Sequence, residues 1–342
     1  MWFRNLIVYR VPEGWDVSAE ALGEQLARVA FSPASSIEET SVGWAPPRAA
    51  DPALVYEVNR QFLLTLRQEK KLLPAKVVTQ FVKQRVERIE AEEGFKPGRK
   101  RLKELKEEVR DELLPRAFSL ASDTHVWIDP VHGWLAIDAS SAARADDVIT
   151  LLVKAIDGFP ARRLSVADPV AGAMTAWLVT DEAPAGFTVD QDAELRAREG
   201  KATIRYANQA LEHDDIERHT KAGKQCTKLA LTWSDRVSFV LNDKLELKRV
   251  RALDVLKEQS EASDLGEEER FASDFTLMTG ELAKLLADVV ESLGGFKPGA
   301  EAGSPPASAS AAPPVAAPHR PVLTKAPGAS PAASAGPDDP PF

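Results

Sequence analysis

The chain has 342 residues, 28% of them charged and 44% hydrophobic, a formal net charge of −9 and one cysteine, Cys226. One cysteine excludes an internal disulfide and fits a reducing compartment. The sequence has no apolar run near the roughly 20 residues of a membrane helix and no signal-peptide pattern at MWFRNLIVYR, so it reads as a cytoplasmic protein of two or three domains.

Phe3 to Val11 reads as a strand, and Ser18 caps a helix running to about Ala30 with Leu22, Leu26 and Val29 on one side. Pro33, Gly43, Pro46 and Pro47 break the chain. Leu54 to Val58 and Phe62 to Leu66 predict two strands around an Asn59–Arg60 turn. Pro74 starts a helix to about Glu93, GFKPG (94–98) is a loop, and a second helix runs from about Arg99 to Leu114, ended by Pro115. Val78, Phe81, Val82, Val86 and Ile89 are expected to face Leu102, Leu105, Val109 and Leu113 in an antiparallel αα-hairpin. THVWID (124–129) and WLAID (134–138) form a β-hairpin, and Ser140 or Ser141 caps a helix to about Ile156. CTKLALTW (226–233), RVSFVL (236–241) and LELKRV (245–250) read as a meander. A last helix runs from about Phe271 to Leu293 and stops at Gly294–Gly295.

This pattern predicts an α+β fold. A central domain of two similar sheet-plus-helix halves (1–73 and 117–184) is interrupted by a projecting helical-hairpin tip (74–116). A tail domain (185–296) carries an antiparallel sheet and the C-terminal helix. Residues 297–342, rich in Ala, Pro, Ser and Gly, are too poor in large apolar residues to order themselves.

Signals for catalysis are weak. AGKQC (222–226) lacks the first glycine and the Ser or Thr of a phosphate loop. His125, His132, His213, His219 and His319 have no metal-ligand spacing. Asp129 and Asp138 read as turn aspartates, and EHDDIE (212–217) as a solvated helix start. No catalytic residue, metal or cofactor is assigned, although a nuclease built on the 212–217 acids is an alternative.

Cations, by contrast, are concentrated. An acidic total does not exclude DNA, which responds to local field. The run from Lys96 to Lys103 holds Lys96, Arg99, Lys100, Arg101 and Lys103 without an acid, at a turn and helix start. Ion pairs such as Lys100–Glu104 and Lys103–Glu107 would make the remaining hairpin charge a solvated face. A second group includes Lys201, Arg205, Lys221, Lys224, Lys228, Lys248, Arg249 and Arg251. Strand alternation predicts that Lys224 and Lys228 share one face with Ala230 and Thr232, opposite Leu229, Leu231 and Trp233. Neither a recognition helix nor a stacked-aromatic strand is apparent, so the charge pattern points to phosphate binding without base readout.

WFRNLIVYR (2–10), VGWAPP (42–47), EKKLLP (69–74), LLPRAFS (113–119), WID (127–129), AGKQCTKLALTW (222–233) and DFTLMTGEL (274–282) resemble the RdgC family of proteobacterial recombination-associated proteins. The resemblance implies a head-to-head homodimer closed into a ring around double-stranded DNA, with single-stranded DNA as a second possible ligand. It also implies nucleoid association, no enzymatic activity, and restraint of RecA-dependent recombination and fork repair by competition for DNA. Carried over by motif, Phe118 lies at a subunit contact that gates the ring. Lys224 and Lys228 fall on a DNA-facing strand, Arg205 and Gln209 lie near it in IRYANQAL (204–211), and Arg116 sits in LLPRAFS. The middle of IRYANQAL, Ala207 and Asn208, departs from a more lysine-rich pattern.

The closing PDDPPF (337–342) resembles the C-terminal tip of bacterial single-stranded DNA-binding protein. That resemblance implies docking of repair enzymes through Asp338, Asp339, Pro341 and Phe342, and makes an interaction adaptor the alternative function.

Overall fold

The computed structural model describes residues 2–256 and 266–297. Twelve strands form one sheet: β1 (Leu6–Arg10), β2 (Thr40–Ala45), β3 (Val55–Val58), β4 (Gln61–Leu72), β5 (Phe118–Asp129), β6 (Trp134–Asp138), β7 (Arg162–Arg163), β8 (Phe187–Ala197), β9 (Thr203–Tyr206), β10 (Lys224–Trp233), β11 (Val237–Asn242) and β12 (Glu246–Ala252). Their order is β2-β4-β5-β6-β1-β12-β11-β10-β8-β9, with β3 also beside β4 and β7 beside β1. The paired strands are antiparallel. The architecture is α+β. The sheet continues across the position where the sequence changes from central to tail segment, because Leu6 of β1 pairs with Leu247 of β12.

Helices α1 (Ala19–Ala27) and α4 (Ala142–Ala155) bury Leu22, Leu26, Val148 and Leu152 against Ile7, Phe62, Leu64 and Ile137 on one sheet face. Both begin where a serine accepts from a free backbone N–H: Ser18 from Ala21 and Ser141 from Arg144. The other face carries Leu6, Trp127, Leu229, Leu231 and Phe239 under α5 (Val170–Thr180), α6 (His213–Lys221) and α7 (Glu267–Ser292). Helix α7 is fixed by its stripe of Phe275, Met278, Leu282, Leu285 and Val289, and by a two-pronged pair from Arg236 to Glu281.

Helices α2 (Ala75–Glu93) and α3 (Arg99–Leu113) form the hairpin. Val78, Leu105 and Val109 are buried, whereas Phe81 and Leu102, expected in the seam, remain 39% and 37% exposed. Charged contacts flank the seam: Arg85 of α2 pairs with Glu108 and Glu112 of α3, while Arg110 ties α3 to Glu39 beside β2. Glu104 pairs with Arg101 rather than with Lys100.

Several elements exceed the sequence expectation. Strands β4 and β5 continue to Leu72 and back to Phe118, beyond the apolar alternation, because each supplies the other's backbone partners and Arg67 forks onto Asp123 between them. The segment around Gly43 forms β2 rather than a break. A Cβ at Gly43 would lie 2.5 Å from Phe31 Cα, so the glycine permits a close crossing. Helix α5 has no charged residue and therefore no polar face to set a period. Asn59 and Arg60 both adopt positive φ (54° and 61°), as a two-residue β3–β4 turn requires. No helix among the described residues is long and apolar enough to cross a membrane.

Candidate nucleic-acid interface

The face of β8–β12 turned away from α5, α6 and α7 bears a row of polar side chains running across the strands. Arg205 of β9 lies opposite Glu194 of β8, Glu194 opposite Lys228 of β10, and Lys228 opposite Asn242 of β11. Asn242 donates to Glu246 at 2.9 Å, and Glu246 also lies 3.2 Å from Lys248 and 3.5 Å from Arg163. A cleft of about 400 Å³ opens here, lined by Asn5, Asp192, Arg205, Lys228, Lys248 and Arg249 among others. Arg251 lies opposite Ser238 on this face.

The cations alternate with carboxylates. Lys228 Nζ donates to Glu194 at 2.8 Å, Arg196 lies 3.2 Å from the same carboxylate, and Arg249 3.6 Å from Asp192. The bond from Lys228 holds the Glu194 carboxyl below its usual range. Burial would push the Glu246 carboxyl up, but its bonds from Asn242 and Lys248 bring it below that range. The expected wall of lysines is therefore a mixed lattice with few surplus cations.

Lys224 does not join it. Cys226 pairs with Leu195 and Lys228 with Glu194, so two residues of β10 span one of β8. This bulge at Thr227 reverses the alternation. Cys226 is completely buried with Leu229, Leu231 and Trp233, and Lys224, two residues before it, falls on that side. Lys224 and Lys228 occupy opposite faces, contrary to the unbroken alternation read from the sequence. Gln209 lies past the end of β9, where its backbone N–H approaches Gln191 O at 3.5 Å. It is exposed beside the sheet edge, not within the polar row.

At the hairpin, Lys96 approaches Glu90 at 3.8 Å and Arg101 pairs with Glu104 and Glu108. Arg99, Lys100 and Lys103 are exposed. Arg116 lies in the 3₁₀ turn Leu114–Arg116 and is exposed. Phe118 follows, 84% exposed, with Leu72 opposite it and Leu120 two residues on, both also exposed. Directly opposed and i, i+2 side chains share a face, so these three form an apolar patch at the end of the β4–β5 ribbon.

The remaining sequence candidates separate from these sites. Of the EHDDIE acids, Asp215 pairs with Arg218 and Glu217 with Lys221 along α6. Among the described residues no three His, Cys, Asp or Glu side chains gather as a metal site. Asp129 caps the β5–β6 turn by accepting from the N–H groups of Val131 and His132 and bonding His132 Nδ1 at 2.6 Å. A groove of about 900 Å³ lies between that turn and α7, lined by Arg10, Trp134, Lys284 and Phe296 among others, and includes none of the expected DNA contacts. Asp338, Asp339, Pro341 and Phe342 lie outside the described residues. Sequence reading missed the carboxylates Asp192 and Glu194; the DQDAE run (190–194) is their only trace.

A family model described as "Putative exonuclease, RdgC" matches residues 1–296. Proteins named "Recombination-associated protein RdgC" are similar over nearly their whole length. That of Janthinobacterium sp. (strain Marseille) is 57% identical over 296 residues, 86% of this chain and 98% of its own. That of Herminiimonas arsenicoxydans is 55% identical over the same shares. That of Bordetella pertussis (strain Tohama I / ATCC BAA-589 / NCTC 13251) is 54% identical over 298 residues, 87% of this chain and 99% of its own. The matched span takes in the whole described sheet, the helical hairpin and Phe118, and on that ground the chain belongs to the RdgC family.

Proposed function

We propose that this protein binds duplex DNA through its phosphates, without reading base sequence, as two copies closed into a ring, and thereby restrains RecA-dependent recombination by occupying DNA. The observation that carries the reading is the face of β8–β12 turned away from α5, α6 and α7, where Arg205, Lys228, Lys248, Arg249 and Arg251 are displayed. Lys228, Lys248 and Arg249 already hold carboxylates, so there phosphates bind by exchange of partners and the net gain comes from counterion release. Exposed Arg99, Lys100, Lys103 and Arg116 add a second group at the hairpin and its base. The exposed patch of Phe118, Leu72 and Leu120 supports a self-contact of the β4–β5 ribbon. No catalytic step is assigned, and of the α6 acids Asp215 and Glu217 are engaged by Arg218 and Lys221 of their own helix.

The test is a salt series of gel shifts on duplexes of unrelated sequence. Roughly 6–8 neutralised phosphates would give a log–log slope of about −5 to −7, the same for each duplex. Absence of binding at low salt, or magnesium-dependent cleavage of the duplex, overturns the reading.

Residues 297–342 fall outside the family match, which favours a second reading: an adaptor stretch whose Asp338, Asp339, Pro341 and Phe342 dock repair enzymes. Deleting residues 297–342 leaves duplex binding intact if the ring reading holds and abolishes it if DNA is reached through recruited partners.

A further inference from the structure

Phe95 is 64% exposed in the loop between α2 and α3. A helix of 15 residues is about 22 Å long, so this ring stands a helix length from the Phe118 patch at the other end of α3. Gly94, at φ 77°, ends α2, and Pro97 and Gly98 lead into α3. The loop thus turns the chain tightly and leaves its one large apolar side chain in solvent.

The charges around Phe95 are unevenly committed. Glu90 faces Lys96, and Arg101 is held by Glu104 and Glu108. Glu92 and Glu93 close α2, while Arg99, Lys100 and Lys103 open α3. Five cations stand against three carboxylates between residues 90 and 103. Along the rest of the hairpin Lys76, Lys83, Arg85, Arg88, Lys106 and Arg110 balance Glu87, Glu104, Glu107, Glu108, Asp111 and Glu112, so the shaft carries no net charge. The hairpin's surplus of cations lies at its end, where the phenyl ring is.

We infer that Phe95 is a wedge that inserts between stacked bases when the hairpin end meets duplex DNA, with Lys96, Arg99 and Lys100 on the flanking phosphates. The inference rests on the DNA-binding reading and adds to it a local unwinding of the duplex. An apolar side chain entering a base step unstacks it and bends or untwists the helix, at a cost offset by the larger protein surface that the deformed duplex can wrap. Contacts to phosphates alone do not unstack a base step, so the comparison with a variant lacking the ring isolates the wedge.

The experiment relaxes closed circular plasmid with a type I topoisomerase in the presence of the full chain and reads the change in linking number. The wild-type protein is expected to lower the linking number in proportion to bound protein. Phe95→Ala is expected to lose most of that effect at saturation while its affinity changes by no more than about threefold, because unstacking offsets most of the wedge's own contact energy. Phe95→Trp is expected to keep the unwinding and to add indole emission quenched by duplex. Equal unwinding by wild type and Phe95→Ala, or saturated wild-type complexes that leave the linking number unchanged, would overturn the wedge with DNA binding intact. A wild-type protein that does not bind the plasmid would instead remove the DNA reading beneath it.

Discussion

Lys228 Nζ lies 2.8 Å from Glu194 Oε2, and Arg205 stands on the other side of that same carboxylate's strand. Glu194 therefore competes with any phosphate for Lys228, and for Arg196 at 3.2 Å. Replacing it by glutamine removes one negative charge from the face and frees Lys228. Duplex affinity of Glu194→Gln is expected to rise several-fold at low salt, whereas Lys228→Ala is expected to lose affinity and reduce the magnitude of the salt slope by about one. Salt-dependent titrations of both variants check this. The pair also has an acid limit. The folded carboxyl titrates below its unfolded value, so its stabilisation is full at neutral pH and is lost as pH falls through the folded pKa.

The same strand shows where sequence reading stops. Helices α1, α4 and α7 are legible because a serine cap or an uninterrupted stripe announces them, and the hairpin because glycine and proline bracket its loop. The bulge at Thr227 is not, since CTKLALTW alternates equally well with or without it. What decides the register is the partner strand, where Leu195 must be buried and Glu194 must not. That choice moves Lys224 to the other face. The outer half of the β4–β5 ladder is illegible for a related reason: its charged residues satisfy each other across strands, as Arg67 and Asp123 do, and leave no apolar period. Helix α5 fails in the opposite way, having no charged residues to define a face. Glu194 escapes a reading along the chain because its contact with Lys228 is made across strands.

Phe118 is surface in the single chain, so its replacement should cost the fold little. Phe118→Ala is expected to change folding stability by less than about 0.5 kcal/mol, as substitutions of exposed residues do, and to weaken self-association. Sedimentation velocity over a range of concentrations, beside urea denaturation, separates the two effects. A dimer population identical to wild type removes Phe118 from the subunit contact; a large loss of stability returns it to the fold.

His125 gives the stability of the central sheet a pH dependence of known sign. Its Nδ1 lies 2.9 Å from Thr65 Oγ1, and its ring stacks 6.4 Å from that of Phe3. Burial pushes the imidazole below its ordinary range, more than Asp123 and Asp138 raise it. The unfolded chain therefore takes the proton first, near pH of about 6.5. Stability is full above that value and declines as pH falls toward the folded pKa. Asp138 has the contrary sign: burial raises its carboxyl, so the folded state takes that proton first and gains on acidification. The histidine is tested between pH 7.5 and 6, the interval around its unfolded value of about 6.5. Urea midpoints across that interval should fall for the wild-type protein and fall less for His125→Gln. An unchanged slope in the variant would assign the proton uptake to another group.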